Sequence, residues 1–551
     1  MTLKNLVSST KNYNCFSELK LSLVKMRPCV SLLTFLLCSV PIAVEGDEDK
    51  LFDERNERYS SSTVGLLKLL KVEQQFTDTL IKYAVQLGEK SQSLHSYLSE
   101  GGHQSNRSPK EKEEFISNPL NAFSLIRRTS EDLPKWYTYF KDSIKNEDLS
   151  VLDDLVKKVP NKVDLDSAIQ GIQRIERVYD LKIDDMAQGV LHDKQYNSRL
   201  SYRDLIAMGN MMYQQGDYKA SAKWYRIACK RELDDLDILL NEVLGNPSEH
   251  LHRQYIKSLY IHASTISEPL KSAEEAFITA ENAMADTGQE DVDNLMFNLN
   301  DRENDLVIKI QLYQTKKRPS NFEIGCRGLY RRKRNLVCRY NFTTTAFLRL
   351  APLKFEEINL DPYIAMYHDV LYDSEIEELK GQSINMGNGY ADKRNGTEIR
   401  DTVARHAWWS DTSSVRERIN QRIIDMTGFN FSKTEEIQVA NYGLGTYFKP
   451  HFDYTSDGFE TPDATALGDR LASIIFYASD VPQGGATVFP DIKVSVLPRK
   501  GSSLFWFNLF DDGRPDERSK HSVCPVINGD RWTLTKWVHL FPQMFILPCQ
   551  P

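Results

Sequence analysis

The sequence predicts an α+β multidomain protein with a helical N-terminal region, a second helical region built on a helix pair, and a C-terminal double-stranded β-helix, or jelly roll. Three observations carry that expectation. Apolar residues recur at three- and four-residue spacings from Leu66 to Tyr97. A Gly216-Asp217-Tyr218 turn joins two segments rich in alanine and aromatic residues. After residue 350, short runs of Val, Ile, Phe, Tyr and Trp are punctuated by Gly, Pro, Asn and Asp. At 551 residues and 41% hydrophobic, the chain exceeds what one core can organise. A net charge of -8 argues against nucleic acid as a partner, and 26% charged with 10% aromatic residues suits a globular protein.

Residues 1–46 read as a targeting segment. Val30 to Val44 is an apolar run of 15 residues, preceded by Lys25 and Arg27 and followed by Glu45-Gly46-Asp47-Glu48-Asp49. That pattern is a secretory signal peptide cleaved near position 46, too short and too abruptly bounded for a transmembrane span. Met26 is then a candidate initiator, with residues 1–25 as an upstream extension. The expected location is the endoplasmic reticulum lumen, and without a Lys-Asp-Glu-Leu tail retention would fall to a partner.

Residues 47–165 are expected to form a helical assembly domain. Leu66, Leu69, Phe76, Leu80, Tyr83, Leu87, Leu94 and Tyr97 follow a heptad, with Glu73 and Lys90 at its two polar seam positions. The seam serves either as the core-facing stripe of one subunit or as a coiled-coil dimer interface. Residues 166–290 are helical again. There Met208 to Tyr218, Ala220, Ala222 and Trp224-Tyr225 resemble a tetratricopeptide helix pair, and His250 to Ala283, with Tyr255, Tyr260, Ala273 and Ala276, forms a second, less regular unit. Residues 291–350 are a connector whose basic run Arg331-Arg332-Lys333-Arg334 reads as a solvated loop.

Beyond the signal segment five cysteines remain: Cys229, Cys326, Cys338, Cys524 and Cys549. Secretory entry favours disulfides. Short loops favour Cys326 with Cys338 and Cys524 with Cys549, leaving Cys229 as a small apolar residue of a helix. The sequons at Asn341, Asn395 and Asn430 fit a luminal glycoprotein, whereas Pro109 weakens the one at Asn106.

Residues 351–551 hold the chemistry. His451-Phe452-Asp453 is followed, 68 residues after Asp453, by His521. Two imidazoles and one carboxylate on one face of Fe(II) leave positions open for a co-substrate and O2, unlike a closed structural site. Residues two apart on a strand share a face, so His451 and Asp453 point into the barrel together and His521 arrives from a distant strand. Of the eleven histidines, His451 alone has an acidic residue two positions later.

Around this triad stand Asn441-Tyr442-Gly443, then Gly484-Gly485-Ala486-Thr487-Val488-Phe489-Pro490, then Arg531 ten residues beyond His521. Together they resemble the prolyl 4-hydroxylase family of 2-oxoglutarate dioxygenases. The match is close from Glu436 to Phe541. The helical regions extend it over nearly all of the chain after residue 46, so that it resembles the alpha subunits of the collagen enzymes.

The resemblance implies that His451, Asp453 and His521 hold Fe(II) and that Arg531 binds the distal carboxylate of 2-oxoglutarate, with Tyr442 and His539 as further co-substrate contacts. The collagen enzymes mostly place Lys at the position of Arg531; an Arg offers a planar two-point contact instead of a point charge. Lys536 is no substitute, because its odd separation from Arg531 puts it on the other strand face. Eight residues of strand separate Arg531 from His539, about 26 Å, so the strand must bend or one contact is indirect.

The implied reaction is hydroxylation of peptidyl proline at C4 in collagen-like X-Pro-Gly sequences. It is coupled to decarboxylation of 2-oxoglutarate to succinate, with O2 as co-substrate and L-ascorbate rescuing over-oxidised iron. Tyr213, Asp217, Tyr218, Tyr255 and Tyr260 are the implied groove for an extended proline-rich peptide. The implied partners are protein disulfide isomerase as a beta subunit and a second alpha subunit in an alpha2beta2 tetramer. The competing expectations are a hydroxylase of another secreted proline-rich protein and a catalytically inactive peptide-binding subunit; comparing turnover on Pro-Pro-Gly repeats and on non-collagen proline peptides separates them.

Overall fold

The computed structural model describes residues 59–85, 91–100, 107–141, 149–266, 318–331, 333–383, 386–388, 391–394, 397–400, 404–409, 414–431, 435–455 and 466–547. The signal segment, Leu87, Lys90, Ala273, Ala276, Asn395 and Cys549 lie outside these residues, as do the side chains of Tyr83 and Tyr260. Among the described residues no helix is long and apolar enough to cross a membrane.

The described residues between 59 and 266 are mostly helical. Helices α1 (Thr63–Val85), α2 (Ser91–Glu100), α3 (Pro109–Ser117) and α4 (Pro119–Arg127) lead through a single π-turn, Arg128–Asp132, into α5 (Leu133–Lys141) and α6 (Leu149–Val156). The longer α7 (Lys162–Tyr179) follows, then the antiparallel pair α8 (Tyr202–Gln214) and α9 (Tyr218–Cys229), and α10 (Asp235–Leu244) and α11 (Ser248–Ile266). Their starts are written in the sequence: Ser108 with Glu111, Asn161 with Asp164, and Ser201 with Asp204 each form a capping box. Such a box satisfies backbone N–H groups that the first helical turn leaves without partners.

The heptad seam is a core stripe of this chain's own helices. Leu66, Leu69, Phe76 and Leu80 on α1 are buried, and α1 packs on α2, α3 and α6. Leu94 and Tyr97 come from the separate helix α2, so the pattern does not run along one helix. The polar seam residue Glu73 is buried too; its carboxylate accepts from Arg128 Nη2 at 3.1 Å and Nε at 3.3 Å. Burial raises its pKa and Arg128 opposes the rise. A heptad suits either destination, because a core stripe and a dimer seam use the same spacing.

Between α8 and α9, Gly216 takes the turn at φ +78, and Gly209 lies flat against the Tyr225 ring where a side chain would collide. Ser221 donates to Gly209 O at 3.0 Å and meets Ser258 of α11 at 3.0 Å, tying the third helix to the pair.

Helix α12 (Asn321–Cys326) brings the chain to the β domain. Here the structure corrects the expected disulfides: Cys326 is bonded to Cys524, and Cys338 is free and exposed. Arg327 donates to Val178 O at 2.7 Å, and α12 packs between α7 and the β domain, while Cys338 is drawn away into a strand pairing with Glu356. The sequon residue Asn341 is also not available, being 7% exposed with Nδ2 donating to Thr344 Oγ1 at 2.8 Å. Asn430 is exposed.

The β domain contains β1 (Cys338–Asn341), β2 (Leu353–Leu360), β3 (Tyr363–His368), β4 (Arg405–Trp409), β5 (Ile437–Tyr442), β6 (Phe448–His451), β7 (Arg470–Tyr477), β8 (Thr487–Phe489), β9 (Val494–Val496), β10 (Ser503–Phe507), β11 (His521–Val523) and β12 (Arg531–His539). One antiparallel sheet runs β1-β2-β3-β10-β7-β12-β5-β4 and ends on Gly387–Asn388; the smaller sheet runs β6-β11-β8-β9. Alternation assigns the faces. Ile364, Met366, Ile475, Tyr477, Leu504 and Trp506 meet Phe489, Val494 and Val496 of the small sheet, and the intervening residues meet helices Asp373–Gln382 (α13) and Ser414–Thr427 (α14). The result is a two-sheet sandwich whose interior is closed on its outer side by helices.

His406 on β4, paired in register with Ala440, is buried, and among the described residues its Nδ1 has no hydrogen-bond partner. Burial pulls its pKa down to about 4. A depressed histidine contributes stability that is fully present above the unfolded value near 6.5 and is lost as pH falls toward the folded one, here on the order of 3 kcal/mol. The thermal midpoint is therefore expected to fall between pH 6.5 and 4, with a shallower fall for His406→Gln; superimposable pH profiles would refute this.

Candidate active site

Strand register assembles the triad. β6 and β11 pair antiparallel with His451 opposite His521, and Asp453 follows two residues past the end of β6. The ligand atoms of all three lie within 4.8 Å of one another. His451 Nε2 is 3.7 Å from Asp453 Oδ1, and His521 Nε2 is 3.7 Å from Asp453 Oδ2. On the far side of each ring a main-chain carbonyl accepts from Nδ1: Lys449 O at 2.7 Å for His451 and Ser519 O at 3.1 Å for His521. That contact fixes the tautomer with the Nε2 lone pairs facing Asp453, as a divalent ion requires.

Burial lowers the pKa of both imidazoles, His451 to about 3 with His521 adding to the fall, so both are neutral ligands at physiological pH. For Asp453 burial acts upward, but His521, His451 and Arg470 outweigh it and hold the carboxyl down to about 2. Phe448 stacks on His451 at 3.6 Å, and Trp506 meets His521 at 4.6 Å, so rings wall the site.

Ser473 on β7 donates to Asp453 Oδ2 at 2.5 Å and accepts from Asn508 Nδ2 at 2.8 Å. It orients the carboxylate. Ser473→Ala is expected to weaken Fe(II) or Mn(II) binding by roughly 10–100-fold, the usual effect of losing an outer hydrogen bond to a metal ligand. A metal titration with unchanged affinity would contradict that role.

Arg531 opens β12 opposite Tyr442 and is 1% exposed. Its Nη2 donates to Thr487 Oγ1 at 3.0 Å, and its guanidinium lies 4.9 Å from the Tyr442 ring and 5.6 Å from the Tyr477 ring. Among the described residues no carboxylate pairs with it, and its buried Nε has no hydrogen-bond partner. An unpaired buried cation is costly, so this cradle fits the carboxylate of a bound acid.

Lys536 takes the opposite face, as parity requires. It is buried with Nζ donating to Glu435 O, and burial, with Arg416 nearby, pulls it down to about 7.

His539 is not brought to Arg531. It stands at the other end of β12, opposite Arg470, with Nδ1 2.6 Å from Gly468 O and Nε2 2.9 Å from Glu435 Oε1. Both ring nitrogens are engaged, and β12 runs on without a turn, which keeps His539 at the far end of the strand from Arg531. Glu435 also accepts from Arg470 Nε at 2.7 Å and Nη2 at 2.6 Å, and Arg470 Nη1 reaches Asp453 O at 3.3 Å. Among the described residues, His539 connects to the triad through this network. Glu435, Arg470 and Ser473 carry no local sequence signal and are brought in by contacts between distant segments, whereas Thr487 lies in the Gly-Gly-Ala-Thr run.

In the helical region Tyr213 and Tyr218 are half-buried and meet edge to face at 5.3 Å, with Lys257 Nζ 5.7 Å from the Tyr213 ring. Asp217 caps α9 by accepting from Ala220 N at 3.0 Å. Tyr255 is 5% exposed and packs in the core, so it offers no open groove surface.

Comparison with known proteins matches residues 62–193 to the prolyl 4-hydroxylase alpha-subunit N-terminal region and residues 437–539 to the 2OG-Fe(II) oxygenase superfamily. The prolyl 4-hydroxylase subunit alpha-2 of Caenorhabditis elegans is 30% identical over 476 residues, covering 83% of this chain and 86% of its own. Subunit alpha-1 of Bos taurus is 30% identical over 512 residues, covering 87% and 93%. Among solved structures, the viral collagen prolyl hydroxylase of Paramecium Bursaria Chlorella virus-1 in its 2OG complex is 22% identical. It covers 32% of this chain and 94% of its own at a TM-score of 0.25.

Proposed function

Since the chain belongs to the prolyl 4-hydroxylase alpha-subunit family of 2-oxoglutarate- and Fe(II)-dependent dioxygenases, we propose that it hydroxylates C4 of peptidyl proline in collagen-like X-Pro-Gly sequences. The observation that carries the site assignment is the buried Arg531 guanidinium, unpaired among the described residues, in the same interior as two neutral imidazoles and an ionised carboxylate.

His451, Asp453 and His521 would hold Fe(II), and Arg531 would hold the distal carboxylate of 2-oxoglutarate. When bound, iron, 2-oxoglutarate and O2 supply the oxidising chemistry, with succinate and CO2 as the products of the co-substrate. The chain's own residues supply position. Carbonyls of Lys449 and Ser519 keep the Nδ1 protons, and Ser473 keeps Asp453 oriented. Tyr442, buried against the guanidinium, offers its hydroxyl to the co-substrate, while Phe448, Phe489 and Trp506 exclude water from the ring walls. His539 acts on this site indirectly, through Glu435 and Arg470.

The helical pair α8–α9 is read as tetratricopeptide-like, with Tyr213 and Tyr218 the aromatic surface for an extended proline-rich peptide; Asp217 sets the start of α9 beside them. The subunit is assigned to the endoplasmic reticulum lumen with protein disulfide isomerase and a second alpha subunit as partners, ascorbate as the rescue reductant, and Asn430 as the accessible described sequon. Assay of the co-expressed complex on Pro-Pro-Gly repeats and on non-collagen proline peptides tests this. Hydroxylation of the repeats is expected. Turnover confined to the other peptides would overturn the collagen assignment, and none on either would overturn the enzyme assignment.

A further inference from the structure

Two of the contacts between the helical region and the β domain lead to Arg531. At the first, Asn441 on β5 is fully buried and points away from Tyr442, its neighbour on the strand. Its Oδ1 accepts from Thr63 N at 2.8 Å, Thr63 Oγ1 at 3.0 Å and Val64 N at 3.5 Å, at the start of α1. Gly443, on the other side of Tyr442, faces Ser62 so closely that a Cβ would lie 2.9 Å from its backbone. Beyond it, a Cβ on Gly171 of α7 would come within 2.6 Å of Leu444 O, and Arg174 donates to Gly445 O at 2.9 Å.

At the second, Tyr179 at the end of α7 donates to Pro525 O at 2.6 Å, the same oxygen that Gly485 N reaches at 3.1 Å. A Cβ on Gly484 would lie 2.9 Å from the Tyr179 hydroxyl, and one on Gly485 would lie 3.4 Å from Arg531 Cδ. So Tyr442, whose ring lies against the guanidinium, is flanked by two residues held by the helical region, and Gly485, beside Arg531 Cδ, shares the Pro525 carbonyl with Tyr179.

We propose that Asn441, Gly443 and Tyr179 are positioning residues of the co-substrate pocket, through which the helical region holds the walls of the Arg531 cradle. The proposal rests on the reading of Arg531 and Tyr442 as co-substrate contacts. It gives the Asn-Tyr-Gly and Gly-Gly motifs a physical role: Gly443 admits the Ser62 backbone just ahead of α1, Gly484 admits the Tyr179 hydroxyl, and the Asn441 amide oxygen receives a helix start. Coupling is reciprocal, so co-substrate binding must in turn tighten the joint.

The test uses the full-length chain in its assembled complex. Asn441→Ala is expected to raise the KM for 2-oxoglutarate at least tenfold, with peptide KM and bound iron within twofold of the parent. Asn441→Asp is expected to restore it, since a carboxylate keeps the acceptor for the α1 start and removes the Nδ2 group that is unpartnered among the described residues. Tyr179→Phe, which loses only a hydroxyl, should shift the same constant threefold or more.

Hydrogen exchange of residues 59–66 and 171–180 should slow when the inert analogue N-oxalylglycine binds the Mn(II)-loaded parent. Arg531→Ala separates the two layers. If that variant binds 2-oxoglutarate like the parent, the co-substrate reading itself fails. If it loses binding while Asn441→Ala and Tyr179→Phe keep a parental KM and exchange does not change, the positioning role alone is overturned.

Discussion

Replacing His521 with alanine is expected to reduce peptide-dependent decarboxylation of 2-oxoglutarate to background and to leave the protein without bound iron. His521 is 3% exposed, with Trp506 and Phe489 against its ring and Ser519 O accepting its Nδ1 proton. An alanine leaves the Ser519 carbonyl and the Asp453 carboxylate facing a void with no ring nitrogen to donate to the metal. The loss should exceed the roughly 100-fold ceiling of changes outside the ligand set, because one of three protein donors is gone. Metal content after dialysis, together with an unchanged near-ultraviolet spectrum, separates ligand loss from unfolding. Full turnover by this variant would remove the iron assignment.

Arg531→Ala is expected to raise the KM for 2-oxoglutarate by roughly 30-fold or more, with iron content unchanged. Truncating one partner of a buried charge pair costs roughly 2–5 kcal/mol, and about 1.4 kcal/mol corresponds to tenfold. Arg531→Lys should recover most of the loss, since an ammonium still neutralises the acid although it gives up the planar two-point contact. Side-by-side titration of 2-oxoglutarate into parent, Ala and Lys variants checks this. Equal affinity in all three would mean that the anion binds elsewhere.

The parts of this site that are legible in the sequence are those governed by strand parity. His451 and Asp453 share a strand-end motif, and the odd separation of Arg531 from Lys536 already places them on opposite faces; the structure has Arg531 donating to Thr487 and Lys536 donating to Glu435 O on the other face. What escapes the sequence depends on long-range register. Glu435 and Arg470 meet across 35 residues, and Ser473 meets Asp453 across 20, with no spacing rule to announce either.

Cysteine spacing misleads for a related reason. Cys326 and Cys338 are near in sequence, but α12 and β1 diverge, and Cys326 finds Cys524 at a separation of 198 residues. Heptad spacing locates the buried face of α1 but cannot name its partner, which the π-turn residue Arg128 reveals by pairing with Glu73. Tyr255 shows the limit of reading aromatic residues as groove rings, since its burial depends on how α11 packs rather than on its own chemistry.

The most direct measurement of the central claim is a single-turnover reaction under 18O-labelled O2 with a Pro-Pro-Gly peptide and 2-oxoglutarate, followed by mass analysis of both products. An Fe(II) site formed by His451, Asp453 and His521, with the co-substrate held at Arg531, predicts one labelled oxygen in 4-hydroxyproline and one in succinate, formed in equal amounts. Hydroxyproline without the label, or hydroxylation that proceeds without succinate, would contradict it.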